Sequence, residues 1–230
     1  MAGIIVGTMA IIIIVSVMNG FTQLIGMFYS DFDPDLRITA VEGKMFDPDT
    51  LKTHEIQNLE GVVHYAEVVE EIAMLKYGKQ QYPATVKGVP QNYPEYTNVK
   101  NLLIEGEYYL EKQGIDYAVV GRGVANYLGV GVSFLEPINV YVPKKGRQFS
   151  LNPSRSINHG YLFPSAVFAV LEDIDAKYIL VSDKFAADLF ESGDNISAIE
   201  LDIDNSADID EIQSEIQHML GDAFHVKNKE

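Results

Sequence analysis

No Asp, Glu, Lys or Arg occurs between Met1 and Ser30, and inside that stretch the chain reads IIIIVSVMNGF over residues 11–21. A buried strand uses about 4–8 apolar residues, whereas a helix that crosses a bilayer needs about 20. The length of the charge-free stretch therefore predicts a transmembrane helix over residues 1–28. Its polar residues fall on one side: Thr8, Ser16, Asn19 and Gln23 lie within roughly 80° of one another at 100° per residue, with Gly26 on the same line. Small and hydrogen-bonding side chains in such a stripe are what a membrane helix shows to other helices, so these four residues are its expected packing face. A secretory signal peptide would need a basic start and a small-residue cleavage site, and no Lys or Arg opens the chain and no A-x-A comes after the apolar run. The basic residues that would orient the helix are missing, so the helix reads as truncated at its N-terminus and the chain as one piece of a polytopic protein.

Beyond the helix the chain is long enough for one large domain or two small ones with real cores. A net charge of −16 excludes a nucleic-acid partner, which needs clustered cations to release counterions, and excludes broad attraction to anionic lipid. With no cysteine there can be no disulfide, thiol catalysis, cysteine-based zinc site or cysteine-linked lipid anchor.

The patterning is α+β. DLRITAVEG alternates Leu36, Ile38 and Ala40 as a half-buried strand does. DPDTLKTHEIQNLEG predicts one helix, with Asp47 as N-cap, Pro48 at the first position, an apolar side of Leu51, Ile56 and Leu59, and Gly61 as terminator. VVHYAEVVEEIAMLKYG and QQYPATVKGV predict a hairpin turning near Gly78. Near the other end SAIELDID reads as a strand, Asp208 to Glu211 as a capping box, Ile209, Ile212, Ile216 and Leu220 as a helix side that stops at Gly221, and FHVKN as a last strand. Residues 31–90 and 194–230 together predict a split ferredoxin-like subdomain. Residues 91–193 are richer in Tyr, Gly and Pro and predict a β-rich insertion with short helices at GVANYLG and DKFAADLF.

Chemistry is hard to find. Gly121-x-Gly123 comes after a strand, but Asn126 occupies the third position of a dinucleotide fingerprint, so Gly123 reads as a tight strand-to-helix turn and Gly129 as a helix end. The five histidines, at 54, 64, 159, 218 and 225, have no zinc-ligand spacing, and no serine-nucleophile elbow or P-loop occurs. From Glu191 to Glu215 nine acids stand without a Lys or Arg, yet they alternate with apolar residues and lack calcium-loop order, which predicts a solvated face. The expectation is a non-catalytic chain without cofactor or metal.

One segment reverses the sign of the charge. From Pro137 to Leu171 there is no acid, while Lys144, Lys145, Arg147 and Arg155 are basic. The loop predicted over 143–164 is long for a structureless connection; it is stiffened by Pro143, Pro153 and Pro164 and carries Phe149 and Leu151 where solvent is expected. It reads either as a floppy basic loop or as a docking element for an acidic or apolar-surfaced partner.

VSVMNGF at the end of the first helix resembles the same position in the lipoprotein-releasing permeases LolC and LolE, and LLIEGEYY…YAVVGRGVANYLGVGVSFLEPINVYVP resembles the periplasmic core these share with MacB. The resemblance, spanning essentially the whole chain, implies a type VII ABC transporter permease of the FtsX/MacB superfamily. It implies a MacB-like periplasmic core with a Porter subdomain, matching the split ferredoxin-like unit, and a Sabre subdomain, matching the insertion. It further implies a LolD-like cytoplasmic ATPase subunit, a second permease copy in a homo- or heterodimer, a LolA-like periplasmic carrier and a lipoprotein substrate. The setting it implies is the inner membrane of a Gram-negative bacterium, with the chain after about residue 30 in the periplasm. The positions matching the carrier-binding hook of LolC are Pro143, Arg147, Phe149, Leu151, Pro153 and Arg155, although extra residues around Ser154 to Gly160 depart from the family's loop. A MacB-like efflux permease and an FtsX-like regulatory permease share the same core.

Overall fold

The structure, a computed structural model, describes residues 7–9, 11–18, 34–132, 136–144, 156–204 and 206–229. Residues 7–9 and 11–18 are helical and exposed, and among the described residues no helix is long and apolar enough to cross a membrane. The rest of the transmembrane helix expected over 1–28 lies outside the described residues.

Strand β1 (Leu36–Ala40) buries Leu36 and Ile38 as its alternation predicts. The single helix expected after Asp47 is instead two pieces. A 3-10 turn over Pro48–Thr50 is capped by Asp47, whose Oδ1 accepts from the Asp49 amide at 2.9 Å, and helix α1 (Thr53–Gln57) comes after it. Leu51 between them is extended, and the Thr50 hydroxyl donates back to the Asp47 carbonyl at 2.6 Å, a local bond that competes with helix continuation. The apolar side survives the break, with Ile56 fully buried and Leu51 and Leu59 packed against the core.

The hairpin turns at Gly78 between β2 (Val62–Tyr77) and β3 (Gln80–Val89). It reaches beyond the first unit. After helix α2 (Tyr93–Tyr96) come β4 (Leu103–Gly106), β5 (Glu111–Lys112), β6 (Ile115–Gly121), helix α3 (Arg122–Leu128), β7 (Ile138–Pro143) and β8 (Ile157–Phe168). Helix α4 (Glu172–Asp175), β9 (Tyr178–Ser182), helix α5 (Asp183–Phe190), β10 (Ala198–Ile203), helix α6 (Ile209–Leu220) and β11 (Phe224–Asn228) complete the chain.

Among the described residues the strands belong to one sheet system in which the order at one end is β11-β1-β10-β2, every neighbour antiparallel. From there β2 pairs β3, β3 pairs β9, β9 pairs β6, β6 pairs β8, β8 pairs β7, and β7 returns to β2 at Met74 to Lys76, closing a six-stranded ring. Each of the six strands gives a buried side chain to one cluster, among them Leu75, Val86, Ile179, Val120, Leu162 and Val140. Strand β2 serves both parts: Val62 to Val68 pair with β10, and Val69 to Tyr77 pair with β3.

Glycines set the helix packing. Gly123 lies inside α3, and a Cβ there would meet the backbone of Ala176 at 2.7 Å, so close approach of the two helical segments, more than a turn, requires it. Gly129 ends α3 in the left-handed conformation, as expected of a helix terminator. At the other end of the fold Asp208 caps α6 by accepting from the amides of Asp210 and Glu211, and Ile212 and Ile216 bury the side that faces the sheet.

Candidate functional site

Strands β7 and β8 are hydrogen-bonded as a hairpin up to the pair Pro143 and Ile157, and the Lys144 amide donates to the Ser156 carbonyl at 2.9 Å. The loop expected over 143–164 is therefore shorter, because its second half, from Ile157, is strand. Pro143 stands exposed as the last residue of β7, while Arg147, Phe149, Leu151, Pro153 and Arg155 lie outside the described residues. Of the expected helix-packing residues, Thr8 and Ser16 are on the exposed helical segment, and Asn19 and Gln23 lie outside the described residues.

Below this hairpin tip the outer surface of the ring is built by register. Met74, Tyr141 and His159 form one rung across β2, β7 and β8. The Tyr141 and His159 rings stack at 4.8 Å, and His159 Nε2 lies 3.1 Å from Asn139 Oδ1. Alternation places Ile72, Ile157 and Tyr161 on the same surface, with Ile72 66% and Tyr161 58% exposed. None of these six positions is an acid; Glu70, two residues before Ile72 in β2, and Glu71 border the surface at Ile72. Large side chains of this kind left in water on adjacent strands mark a surface that meets something.

A second feature escaped sequence reasoning. Where β2 changes partner from β10 to β3, four charged side chains and a tyrosine converge. Lys87 on β3 and Glu200 on β10 are only 2% and 4% exposed, and Lys87 Nζ lies 2.8 Å from Glu200 Oε1. Arg37 on β1 donates through Nη1 to the same oxygen at 2.8 Å and through Nη2 contacts Glu70 Oε1 of β2 at 2.6 Å. Lys87 also donates to the buried Tyr93 hydroxyl at 3.0 Å. Burial is the largest influence on Lys87 and opposes its charge, but Glu200, the Tyr93 hydroxyl and Glu70 together outweigh it, so the ammonium is held well above its ordinary range; Arg37 is raised by a similar balance, with Glu70 and then Glu200 the main influences offsetting burial. Burial also pushes the Tyr93 phenol up. Glu200 thus leaves the solvated face expected for the acids of 191–215. The signal was a charged residue at the middle of a strand on each of β1, β3 and β10, which alternation alone assigns to solvent.

Arg37 and Glu70 of this cluster line a cleft of about 380 Å³, together with Lys44, Glu71, Ile72, Lys177 and Tyr178. Its cations and carboxylates neutralise one another, and among the described residues no group of three or more His, Asp or Glu could hold a metal ion. The arrangement binds the four-stranded end to the ring; it presents no nucleophile with a base.

The model of the MacB-like periplasmic core domain matches residues 1–219. The fold is similar to the periplasmic region of MacB from Actinobacillus actinomycetemcomitans, with a TM-score of 0.54 at 10% identity over 84% of this chain and 87% of that one. It is equally similar to the extracellular domain of the noncanonic ABC-type transporter YknZ from Gram-positive bacteria, with a TM-score of 0.54 at 12% identity, covering 84% of this chain and 99% of the other. None of the curated proteins gives a significant match. The chain belongs to the family of MacB-like periplasmic core domains. It is the extracytoplasmic domain of a MacB/FtsX-type ABC transporter permease, a typically non-catalytic component that works with an ATPase partner.

Proposed function

We propose that this domain carries ATP-driven motion to a periplasmic partner that docks on the β7–β8 hairpin, and that the partner is a LolA-like carrier receiving lipoproteins released from the inner membrane of a Gram-negative cell. The observation that carries this reading is the apolar surface of Ile72, Met74, Tyr141, Ile157 and Tyr161. In sequence, Lys144, Lys145, Arg147 and Arg155 belong to the connection between β7 and β8. An apolar centre with a basic margin selects a partner that is apolar-centred and acidic-rimmed. In this reading Pro143, Arg147, Phe149, Leu151, Pro153 and Arg155 form the hook, residues 31–90 and 194–230 are the ferredoxin-like Porter subdomain with its β11-β1-β10-β2 order, and residues 91–193 are the Sabre subdomain, whose strands close a ring with β2 and β3. Thr8, Ser16, Asn19 and Gln23 pack the first membrane helix against others of a permease dimer served by a LolD-like ATPase.

Calorimetry of the full chain in detergent with the lipoprotein carrier of the same organism tests the reading. Phe149→Ala and Arg147→Glu should each weaken a micromolar or tighter complex at least about tenfold, since hot-spot truncations cost about 2 kcal/mol or more. Absence of binding by the folded wild type overturns it. The likeness to the periplasmic region of MacB favours a second reading, an efflux permease coupled to a periplasmic adaptor. That protein would bind an adaptor and ignore the carrier.

A further inference from the structure

Strand β11 ends the sheet, with β1 on its inner side in the register Ile38 to Val226. An edge strand offers unpaired N–H and C=O groups on its outer side, the template onto which another strand adds. In an antiparallel pair both groups of one residue point the same way, so those of Val226 and Phe224 point outward when those of His225 and Lys227 point to β1. Both groups of Val226 and the carbonyl of Phe224 are already taken. Gln217 Oε1 accepts from the Val226 amide at 3.0 Å, and Gln213 Nε2 donates to the Val226 carbonyl at 2.8 Å. Gln217 Nε2 donates to the Phe224 carbonyl at 2.9 Å and to the Gly221 carbonyl at 2.8 Å. At the far end the side-chain Nδ2 of Asn228 donates to Asp210 Oδ1 at 3.4 Å, a contact between side chains that further ties α6 to β11.

Two glutamines of α6 thus supply both groups of Val226 and the Phe224 carbonyl with the partners a neighbouring strand would offer. Positions 213 and 217 stand one helical turn apart, which sets their amides side by side along the strand. A leucine or alanine there would pack as well against β11 but would leave its edge open. We infer that Gln213 and Gln217 guard a strand-addition site on β11, and that a second copy of this chain pairs there once the guard is removed. The outward groups at 224, 226 and 228 are symmetric about Val226, so two copies of β11 related by a two-fold axis satisfy each other's donors and acceptors. The guard keeps the chain from joining sheets edge to edge and reserves its assembly for other surfaces.

The test uses the full chain in detergent, with the wild type as reference for association through the N-terminal segment. Native-state hydrogen exchange should show the Val226 amide protected in the wild type and exchanging about five- to tenfold faster in Gln217→Ala, the effect of one lost hydrogen bond. Sedimentation should show Gln213→Ala/Gln217→Ala forming a species twice the wild-type mass as concentration rises. Ser214→Ala, on the same helix, should keep the wild-type mass. Adding Val226→Pro, which deletes the outward N–H, should return the double variant to that mass. A Val226 amide that exchanges equally fast in wild type and Gln217→Ala, a double variant of unchanged mass, or an association that survives Val226→Pro overturns the inference.

Discussion

Lys87 and Glu200 form a buried ion pair at 2.8 Å whose acceptor oxygen is shared with Arg37, so one carboxylate ties together three strands, β3, β10 and β1. Desolvating such charges is costly, and breaking the pair from one side is costlier than replacing both. Glu200→Gln should therefore destabilise the domain by roughly 3–5 kcal/mol, read by urea denaturation. Lys87→Met/Glu200→Leu should recover most of that loss. Equal stability of the single and double variants would mean that the pair is not buried as a unit.

Asp202, two residues along β10, has its pKa pushed up to about 6 by burial and by neighbouring Asp35, against the pull of Lys229. The folded state thus holds this proton where the unfolded state, near the ordinary carboxylate value, has released it. Stability contributed by Asp202 is present below about pH 4, falls as pH rises to about 6, and stays lost above it. Asp202→Asn should raise stability at pH 7.5 by about 1–2 kcal/mol, a value discounted for partial exposure, and should leave stability at pH 3.5 nearly unchanged. Thermal melts at the two pH values check the sign.

Two glycines of α3 should respond differently to alanine. At Gly123 the new methyl meets Ala176 backbone that cannot move aside, which costs about 1–3 kcal/mol of overpacking and lowers the melting temperature accordingly. At Gly129, with φ of 71° and open space around it, the cost is the left-handed backbone alone, about 1–2 kcal/mol. Changing Ala176 to Gly removes one of the three close atoms and should not rescue Gly123→Ala, whereas a local softening of the segment would.

On the ring surface, Ile72→Glu and Tyr161→Glu place acids at positions that are now apolar or aromatic. Both residues are more than half exposed, so denaturation midpoints should stay within about 0.5 kcal/mol of wild type. Binding to the docking partner, once one is in hand, should fall at least about tenfold for each. Unchanged binding by both variants would move the docking surface off these strands.

Much of this architecture was legible because it is local. Alternation placed β1, the turn at Gly78 placed the hairpin, and Asp208 with Gly221 bounded α6. The parts that stayed hidden depend on long-range pairing. Ile157 to Phe163 looked like loop since Gly160 and Pro164 interrupt the run; pairing with β7 on one side and β6 on the other makes them strand. Gly160 also gives room to the ring of Phe185, which a Cβ would meet at 2.8 Å. Likewise Arg37, Lys87 and Glu200 each sit in an alternating strand and read as solvent-facing; only the meeting of β1, β10, β2 and β3 turns three surface charges into one buried cluster. Of the docking site, the sign reversal between Pro137 and Leu171 was legible, and the rung of Met74, Tyr141 and His159 was not, because it unites strands far apart in sequence.

Strand β2 runs unbroken for 16 residues, which at about 3.3 Å per residue is a rod of roughly 50 Å. One half is stitched to β10, the neighbour of β1 where the chain arrives from its apolar N-terminus, and the other half to β7, which leads to the hairpin tip. Along that path there is no loop to absorb a displacement. In the function proposed above, a push delivered at β1 would reach the β7–β8 tip as a lever's stroke, its direction set by the pleat and its amplitude by the length of a single strand.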